Sequence, residues 1–84
     1  MEEFKLSDGT VPEEGMIVTL IGASLGGNKV GVTTEILGDV KNDGLPIVPC
    51  AWINKGEKTG IIVAEALEDL RLATEEEIEE YNSL

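Results

Sequence analysis

A few residues of this chain have types and spacings that resemble those of chemical sites, and each set departs from its pattern. The series Gly22-x-x-x-x-Gly27-Asn28-Lys29-Val30 approaches a phosphate-binding loop. Such a loop needs Lys directly after Gly and then a hydroxyl residue for magnesium, whereas Asn28 intervenes here and Val30 has no hydroxyl. We therefore interpret the segment as a glycine-rich connection between strands.

A second series, Asp39-x-Lys41-x-Asp43-Gly44, has the opening spacing of a calcium-binding loop. Lys41 stands where an oxygen ligand is needed, and the twelfth position is Cys50 instead of the bidentate Glu. A polar turn is the simpler interpretation. We accordingly expect no metal and no other cofactor.

Candidate catalytic side chains are equally isolated. Cys50 lies between Pro49 and Ala51, and the chain contains no His that could activate a thiolate, so we expect a small buried apolar side chain. Glu68 and Asp69 could exchange protons, but a glycosidase-like pair needs a cleft that 84 residues can hardly build. The sequence therefore predicts a protein that is not an enzyme.

The charge of the chain restricts its partners. There are 17 Asp and Glu residues against 6 Lys and Arg, which gives a net charge of −11. Nucleic-acid and anionic membrane surfaces are bound through cations, so neither is an expected partner. No apolar run approaches the roughly 18 residues of a membrane span, and no leader opens the chain. We expect a cytoplasmic protein, located in the host cytoplasm if the chain is viral.

The negative charge is concentrated at the two ends of the chain. Residues 1–14 carry a net charge of −4, residues 15–64 carry 0, and residues 65–84 carry −7. A solvated surface that maintains solubility is the plain explanation of such an excess. Segregation of the charge to the chain ends favours a functional explanation, because clustered like charges lower stability.

The neutral middle of the chain has the pattern of short strands separated by turns. Period-2 alternation and β-branched residues predict the strands, and Gly-rich polar segments predict turns over 22–28, 39–44 and 55–60. Pro46 and Pro49 lack a ladder donor and favour a sheet edge or a bulge. Residues 65–70 fit either a strand or a helical turn, and Trp52 fits either the core or a partner contact. The predicted strands are Met16–Ile21, Lys29–Leu37, Leu45–Ile53, Ile61–Ala64 and a short last one, Leu70–Leu72.

The end of the chain changes to a helical pattern. Thr74 and Glu77 form a Thr-x-x-Glu capping box, which predicts a helix over Glu75–Tyr81. Its apolar residues, Ile78 and Tyr81, are spaced i, i+3 and can dock as one narrow stripe. The side chains predicted to face water are Glu76, Glu79 and Glu80.

The order of these elements carries a resemblance. A strand, a Gly-rich loop, the Lys-Val-Gly-Val-Thr-Thr-Glu-Ile strand, a Trp-bearing strand and a closing Leu-Arg-Leu resemble small barrels of the Src-homology-3 type over residues 15–73. The resemblance implies a mainly β fold: an antiparallel barrel of four or five strands with a short acidic C-terminal helix. We expect one domain over 1–84, with an acidic segment over 1–14, the barrel over 15–73 and the helix over 74–84.

The charge plan separately resembles the small acidic DNA-mimic proteins that bacteriophages direct against host DNA-binding proteins, including histone-like proteins of the HU family. This compositional likeness implies a non-enzymatic inhibitor whose carboxylates replace DNA phosphates on a basic partner. The candidate partner-binding residues are Glu75, Glu76, Glu79 and Glu80 on the helix, Glu65, Glu68 and Asp69 extending them, and Glu2, Glu3, Glu13 and Glu14 as a second stripe.

A second hypothesis belongs to a different class. The chain would be a structural or assembly module whose barrel face or strand edge contacts a neighbouring subunit, while the acidic ends only maintain solubility. Pro46, Pro49 and Trp52 motivate it, since they mark an irregular strand that could border a contact surface. A homodimer is compatible with both hypotheses.

Overall fold

A computed structural model describes residues 4–22, 25, 27, 30–42 and 44–84, and the structural statements that follow concern these residues. Glu2 and Glu3 of the predicted second stripe lie outside them. The chain is mainly β, as the sequence predicts. Its elements are the strands β1 (Ile17–Leu20), β2 (Thr33–Glu35), β3 (Lys41–Asn42), β4 (Pro46–Asn54), β5 (Glu57–Ala66) and β6 (Leu70–Leu72), a 3-10 turn at Leu67–Asp69, and the helix α1 (Glu75–Asn82).

The strands form two antiparallel sheets of three strands each. The first sheet has the order β2-β1-β6 and the second the order β3-β4-β5. An isolated bridge between Ile36 and Cys50 joins them, and the Leu37 N–H donates to the Pro49 carbonyl at 2.7 Å. The hydrogen-bonded pairs of the described residues therefore define two linked sheets and do not define a closed barrel.

The core lies between the two sheets. Val18, Leu20 and Leu70 of the first sheet are almost fully buried, as are Val48 and Cys50 of the second. Alternation along each strand places these side chains on one face, and the period-2 pattern predicted for residues 29–37 is seen in the buried Thr34 and Ile36. The buried hydroxyl of Thr34 donates to the Ala51 carbonyl, so this polar side chain is satisfied within the core.

The prolines do not mark a sheet edge. β4 is the central strand of the second sheet, so the edge prediction is wrong. The Pro49 carbonyl accepts a hydrogen bond from the Leu37 N–H, on the side of β4 away from β5. The nitrogen and carbonyl of one strand residue point to the same side, so the missing N–H of Pro49 costs no hydrogen bond to β5. The register shift between Ala51 and Ile53 sets the single residue Trp52 opposite residues 59–61, so the bulge lies in β5 and neither proline is part of it.

The hairpin of β4 and β5 is longer than predicted. The expected turn over 55–60 is reduced to Lys55 and Gly56, because Asn54 already pairs with Glu57. Lys55 and Gly56 have φ values of 54° and 80°, and positive φ at both positions is typical of a tight two-residue hairpin turn.

Two further segments differ from the sequence prediction, and one open assignment is resolved. The strand expected over 29–37 is reduced to β2 with a bridge at Ile36; Val30 and Gly31 form a turn, and Lys29 lies outside the described residues. The turn expected over 39–44 contains β3. The segment 65–70, for which the sequence allowed a strand or a helical turn, contains the end of β5, the 3-10 turn and the first residue of β6. The predicted last strand, Leu70–Leu72, is confirmed.

The C-terminal helix is confirmed with its capping box. The Thr74 hydroxyl accepts from the Glu77 N–H at 3.2 Å, and the Thr74 N–H donates to the Glu77 Oε1 at 2.9 Å. The helix continues one residue beyond the predicted end, to Asn82.

Replacing Thr74 by alanine is expected to lower the free energy of unfolding by about 1 kcal/mol, because a helix N–H loses its acceptor. Thr74→Ser keeps the hydroxyl and is the matched control. Urea denaturation measures both variants. Equal stability of the alanine and serine variants would contradict the role of the cap.

Candidate interaction surface

The outer face of the first sheet carries α1. Register places Thr19 beside Thr33 and Arg71, and Ile17 beside Glu35, with all five side chains on the face opposite the core. Thr19 is buried although it faces away from the core. The helix therefore covers a sheet face that is largely polar.

An ion pair holds the first turn of the helix on this face. Arg71 donates to both carboxylate oxygens of Glu77, at 2.8 and 3.0 Å. These bonds, followed by the Thr74 N–H, lower the pKa of Glu77 to about 2. Two parallel hydrogen bonds fix both side chains in orientation as well as in distance.

Tyr81 holds the last turn. Its side chain is only 3% exposed, and its hydroxyl donates to the Glu35 Oε1 at 3.2 Å. Burial, reinforced by the neighbouring Glu35 carboxylate, raises the pKa of Tyr81 to about 12. The Lys58 Nζ lies 4.2 Å from the centre of the ring, which links β5 to the helix. Tyr81 thus connects the helix to both sheets.

Four glutamates occupy the opposite, exposed side of α1: Glu75, Glu76, Glu79 and Glu80. In the described part of the chain no ion pair involves any of them. An eight-residue helix is about 12 Å long, so the row has close to the charge density of one DNA strand, which carries one phosphate per roughly 3.4 Å. We call these four residues the helix row.

The acidic N-terminal segment lies at the end of the first sheet where β1 starts and where the chain enters α1. The Gly15 N–H donates to the Ile36 carbonyl at 2.7 Å, which places the exposed Glu13 and Glu14 beside the end of β2. The Ala73 N–H donates to Ile17 at 3.1 Å, just before the helix begins. Glu13, Glu14 and the start of α1 therefore lie at the same end of the first sheet, whereas Glu80 lies towards its other end, beside Gly31 and Thr33.

Asp8 attaches the N-terminal segment to β6. One carboxylate oxygen accepts from the Leu72 N–H at 2.9 Å and the other from the Thr10 N–H at 2.9 Å. These bonds, the one from Leu72 first, lower the pKa of Asp8. Ser7 adds a bond from its N–H to the Leu70 carbonyl at 2.9 Å.

The predicted extension of the stripe does not join the helix row. Glu65 is 0% exposed and pairs with the buried Val48, so it does not belong to an exposed surface. Glu68 is exposed beside Pro46, at one end of the β4–β5 hairpin. Glu80 of the helix row lines a cavity with Gly56, at the other end of that hairpin. The ten-residue β5 that separates these ends is roughly 30 Å long. Asp69 is half-buried at the same end as Glu68.

The remaining singled-out side chains are Cys50 and Trp52. Cys50 is fully buried, as expected, and burial followed by the charge of Glu65 raises its pKa to about 12. Trp52 is half-buried in a groove of about 250 Å³ that it lines with Val32 and Ile53. Its ring packs against Gly27, where a Cβ atom added to the glycine would lie 3.8 Å from the ring.

The helix-docking network is the feature that the sequence pattern missed. It joins Arg71, Glu77, Glu35, Tyr81 and Lys58 across four elements. One signal was available, since Arg71 is the single cation among residues 65–84 and lies six positions before Glu77. The contacts of Glu35 and Lys58 carry no local signal because they depend on tertiary pairing.

Among the described residues, no group of three or more His, Cys, Asp or Glu side chains is placed to hold a metal ion. No helix found there is long and apolar enough to cross a membrane. Comparisons of the chain with protein-family models, with curated proteins and with solved structures give no match.

Replacing Glu77 by glutamine is expected to lower the free energy of unfolding by up to about 1 kcal/mol at neutral pH, the upper range for an exposed ion pair. The pKa of Glu77 is lowered from 4.5 to about 2, so its contribution is full above pH 4.5 and is lost as the pH falls through 2.

The stability difference between wild type and Glu77→Gln should therefore shrink on acidification across that range, as measured by urea denaturation at a series of pH values. Glu76→Gln, one position away and exposed, is the control and should show no such convergence. A difference that stays constant down to pH 2 would contradict the assignment.

Proposed function

We propose that this chain is a non-enzymatic binding protein that occupies the DNA-binding surface of a basic protein and competes there with DNA. The helix row carries the proposal: four exposed carboxylates on one rigidly docked helix, with no cation paired to them among the described residues. Glu13 and Glu14, which lie at the same end of the sheet, extend the contact set.

Docking of the helix is what suits the row to this role. Like charges at i, i+4 weaken an isolated helix, and eight residues form a marginal helix in water. Arg71 and Tyr81 hold α1 on the sheet from the opposite side. The carboxylates are thus presented at fixed spacing, which spares a partner the entropy cost of ordering them.

The partner follows from the charge. A groove lined with Lys and Arg that normally holds a phosphate backbone, as in a histone-like protein of the HU family, complements the row. Long-range attraction would speed association and make it sensitive to salt. Such a partner would be met in the cytoplasm, or in the host cytoplasm if the chain is viral.

The Src-homology-3-type barrel belongs to the same proposal. Residues 33–42 pair with β1 at their start and with β4 at their end, and the Ile36–Cys50 bridge lies between. One bent segment shared by two sheets is what a small barrel requires, and this arrangement supports the resemblance.

Direct binding tests the proposal. The chain is titrated into an HU-type protein without DNA, and the affinity is measured by calorimetry at low and at high salt. We expect a complex at low salt whose affinity falls steeply as salt rises, because exposed charge pairs are screened. No complex at low salt would refute the function.

The assembly-module hypothesis retains one favourable observation, the exposed edge of β5. Gln substitutions in the helix row separate the two candidate functions. An assembly module should keep its contacts with the row neutralised, whereas a DNA mimic should lose its partner.

A further inference from the structure

β5 is an edge strand with an unusual surface. In the described part of the chain it pairs with β4 alone, so one row of its backbone N–H and C=O groups faces away from the sheet. Ile61 and Ile62 are 58% and 62% exposed, and Ala64 is exposed as well. Long apolar edge strands are ready-made templates for another strand.

The protection that such edges usually have is limited here. The bulge opposite Trp52 interrupts the ladder around residues 59–61, where the Thr59 hydroxyl bonds the Trp52 carbonyl. From Ile62 to Ala66 the strand is regular, and it contains no Pro and no exposed charge. Pro49 pairs with Ala64 but directs its carbonyl to Leu37, so the backbone groups of Ala64 and Ile62 face away from β4 and can accept a strand.

Charge along the strand points to the occupant. Lys55 and Lys58 lie at its start, with Glu57 between them, and the exposed Glu68 and half-buried Asp69 follow its end. The strand is thus basic at one end, apolar in the middle and acidic at the other. An antiparallel second copy places each basic end beside an acidic end, and a two-fold axis makes this match twice.

We propose that two copies of this chain associate through antiparallel pairing of their β5 edges, which joins the two β3-β4-β5 sheets into one sheet of six strands. Ile62 and Ala64 of both copies would cover each other at the centre. The helix rows lie on the outer faces of the other two sheets, so the dimer would carry two of them. The inference does not rest on the proposed function, because no basic partner takes part.

The test measures mass and hydrogen exchange for the chain alone. Sedimentation equilibrium should give a dimer for the wild type, and Ile62→Lys should raise the dimer dissociation constant by more than about tenfold, since it places two charged side chains in the apolar centre of the contact. Val11→Lys is the control, because Val11 is 44% exposed on the N-terminal segment and lies outside every strand.

Hydrogen exchange locates the contact. Amides within Ile62–Ala66 should become more protected as chain concentration rises in the wild type, and should not in Ile62→Lys. Unchanged circular dichroism and a cooperative thermal transition of that variant would show that its monomer is folded. A wild type that is monomeric at millimolar concentration, or a dimer protected elsewhere, would overturn the proposal.

Discussion

Replacing Tyr81 by alanine is expected to lower the free energy of unfolding by about 3 to 5 kcal/mol, the usual cost of removing a buried aromatic ring. The ring is 3% exposed, bonds Glu35 and lies under Lys58, so the cavity opens between the helix and both sheets. Domains of this size have only about 4 to 13 kcal/mol in total. The loss should therefore be close to the limit that the fold tolerates.

Tyr81→Phe separates the ring from its hydroxyl. It keeps the packing and loses the bond to Glu35, so we expect a decrease of about 1 kcal/mol. Thermal and urea unfolding measure both variants. If Tyr81→Ala unfolds like the wild type, the helix is not held by this contact, and the rigid presentation of the helix row has no basis.

Neutralising the helix row is expected to reduce affinity for an HU-type protein by at least about tenfold at low salt, since exposed charge pairs contribute roughly 0.2 to 1 kcal/mol each. The variant carries Glu75→Gln, Glu76→Gln, Glu79→Gln and Glu80→Gln. All four side chains are exposed and lie on the side away from Glu77, Ile78 and Tyr81. Removing two i, i+4 repulsions should leave the fold intact.

A matched control removes four negative charges outside the proposed contact set. Asp39→Asn, Asp43→Asn, Glu57→Gln and Glu68→Gln together give the same net charge as the row variant. Affinity should fall less in this control than in the row variant. Equal losses would show that total charge alone governs binding and that the row has no special role.

The elements with strong local patterns were predictable from sequence. An apolar, β-branched run marked β1, and the Thr74–Glu77 capping box marked the helix almost to its last residue. The stripe of Ile78 and Tyr81 was correctly predicted to dock, and Tyr81 is buried accordingly. Such patterns are local, so they survive in a single sequence.

The errors came from pairing across the sheets. Glu65 looks like a surface residue by type, yet pairing with Val48 turns it towards the core. Pro46 and Pro49 predict an edge or a bulge, whereas β4 is a central strand; β3 ends before Pro49, so its nitrogen faces no paired strand residue and only its carbonyl is bonded, by the Leu37 N–H. Register and neighbouring strand length decide both outcomes, and neither is visible locally.

The arrangement of the two acidic ends likewise required the structure. Sequence identified them by charge alone, whereas the bonds of Gly15 and Ala73 bring them to one end of the first sheet. Glu13 and Glu14 thus lie near the start of α1, whereas Glu68 lies at the end of the β4–β5 hairpin opposite Gly56 and Glu80.

Displacement of duplex DNA from an HU-type protein is the most direct test of phosphate mimicry. A gel shift of the DNA complex is titrated with the wild-type chain at low salt. We predict that excess chain releases free DNA and that release weakens as salt increases, because screening acts on the exposed carboxylates. DNA that stays bound in the presence of a large excess of chain at low salt would contradict mimicry.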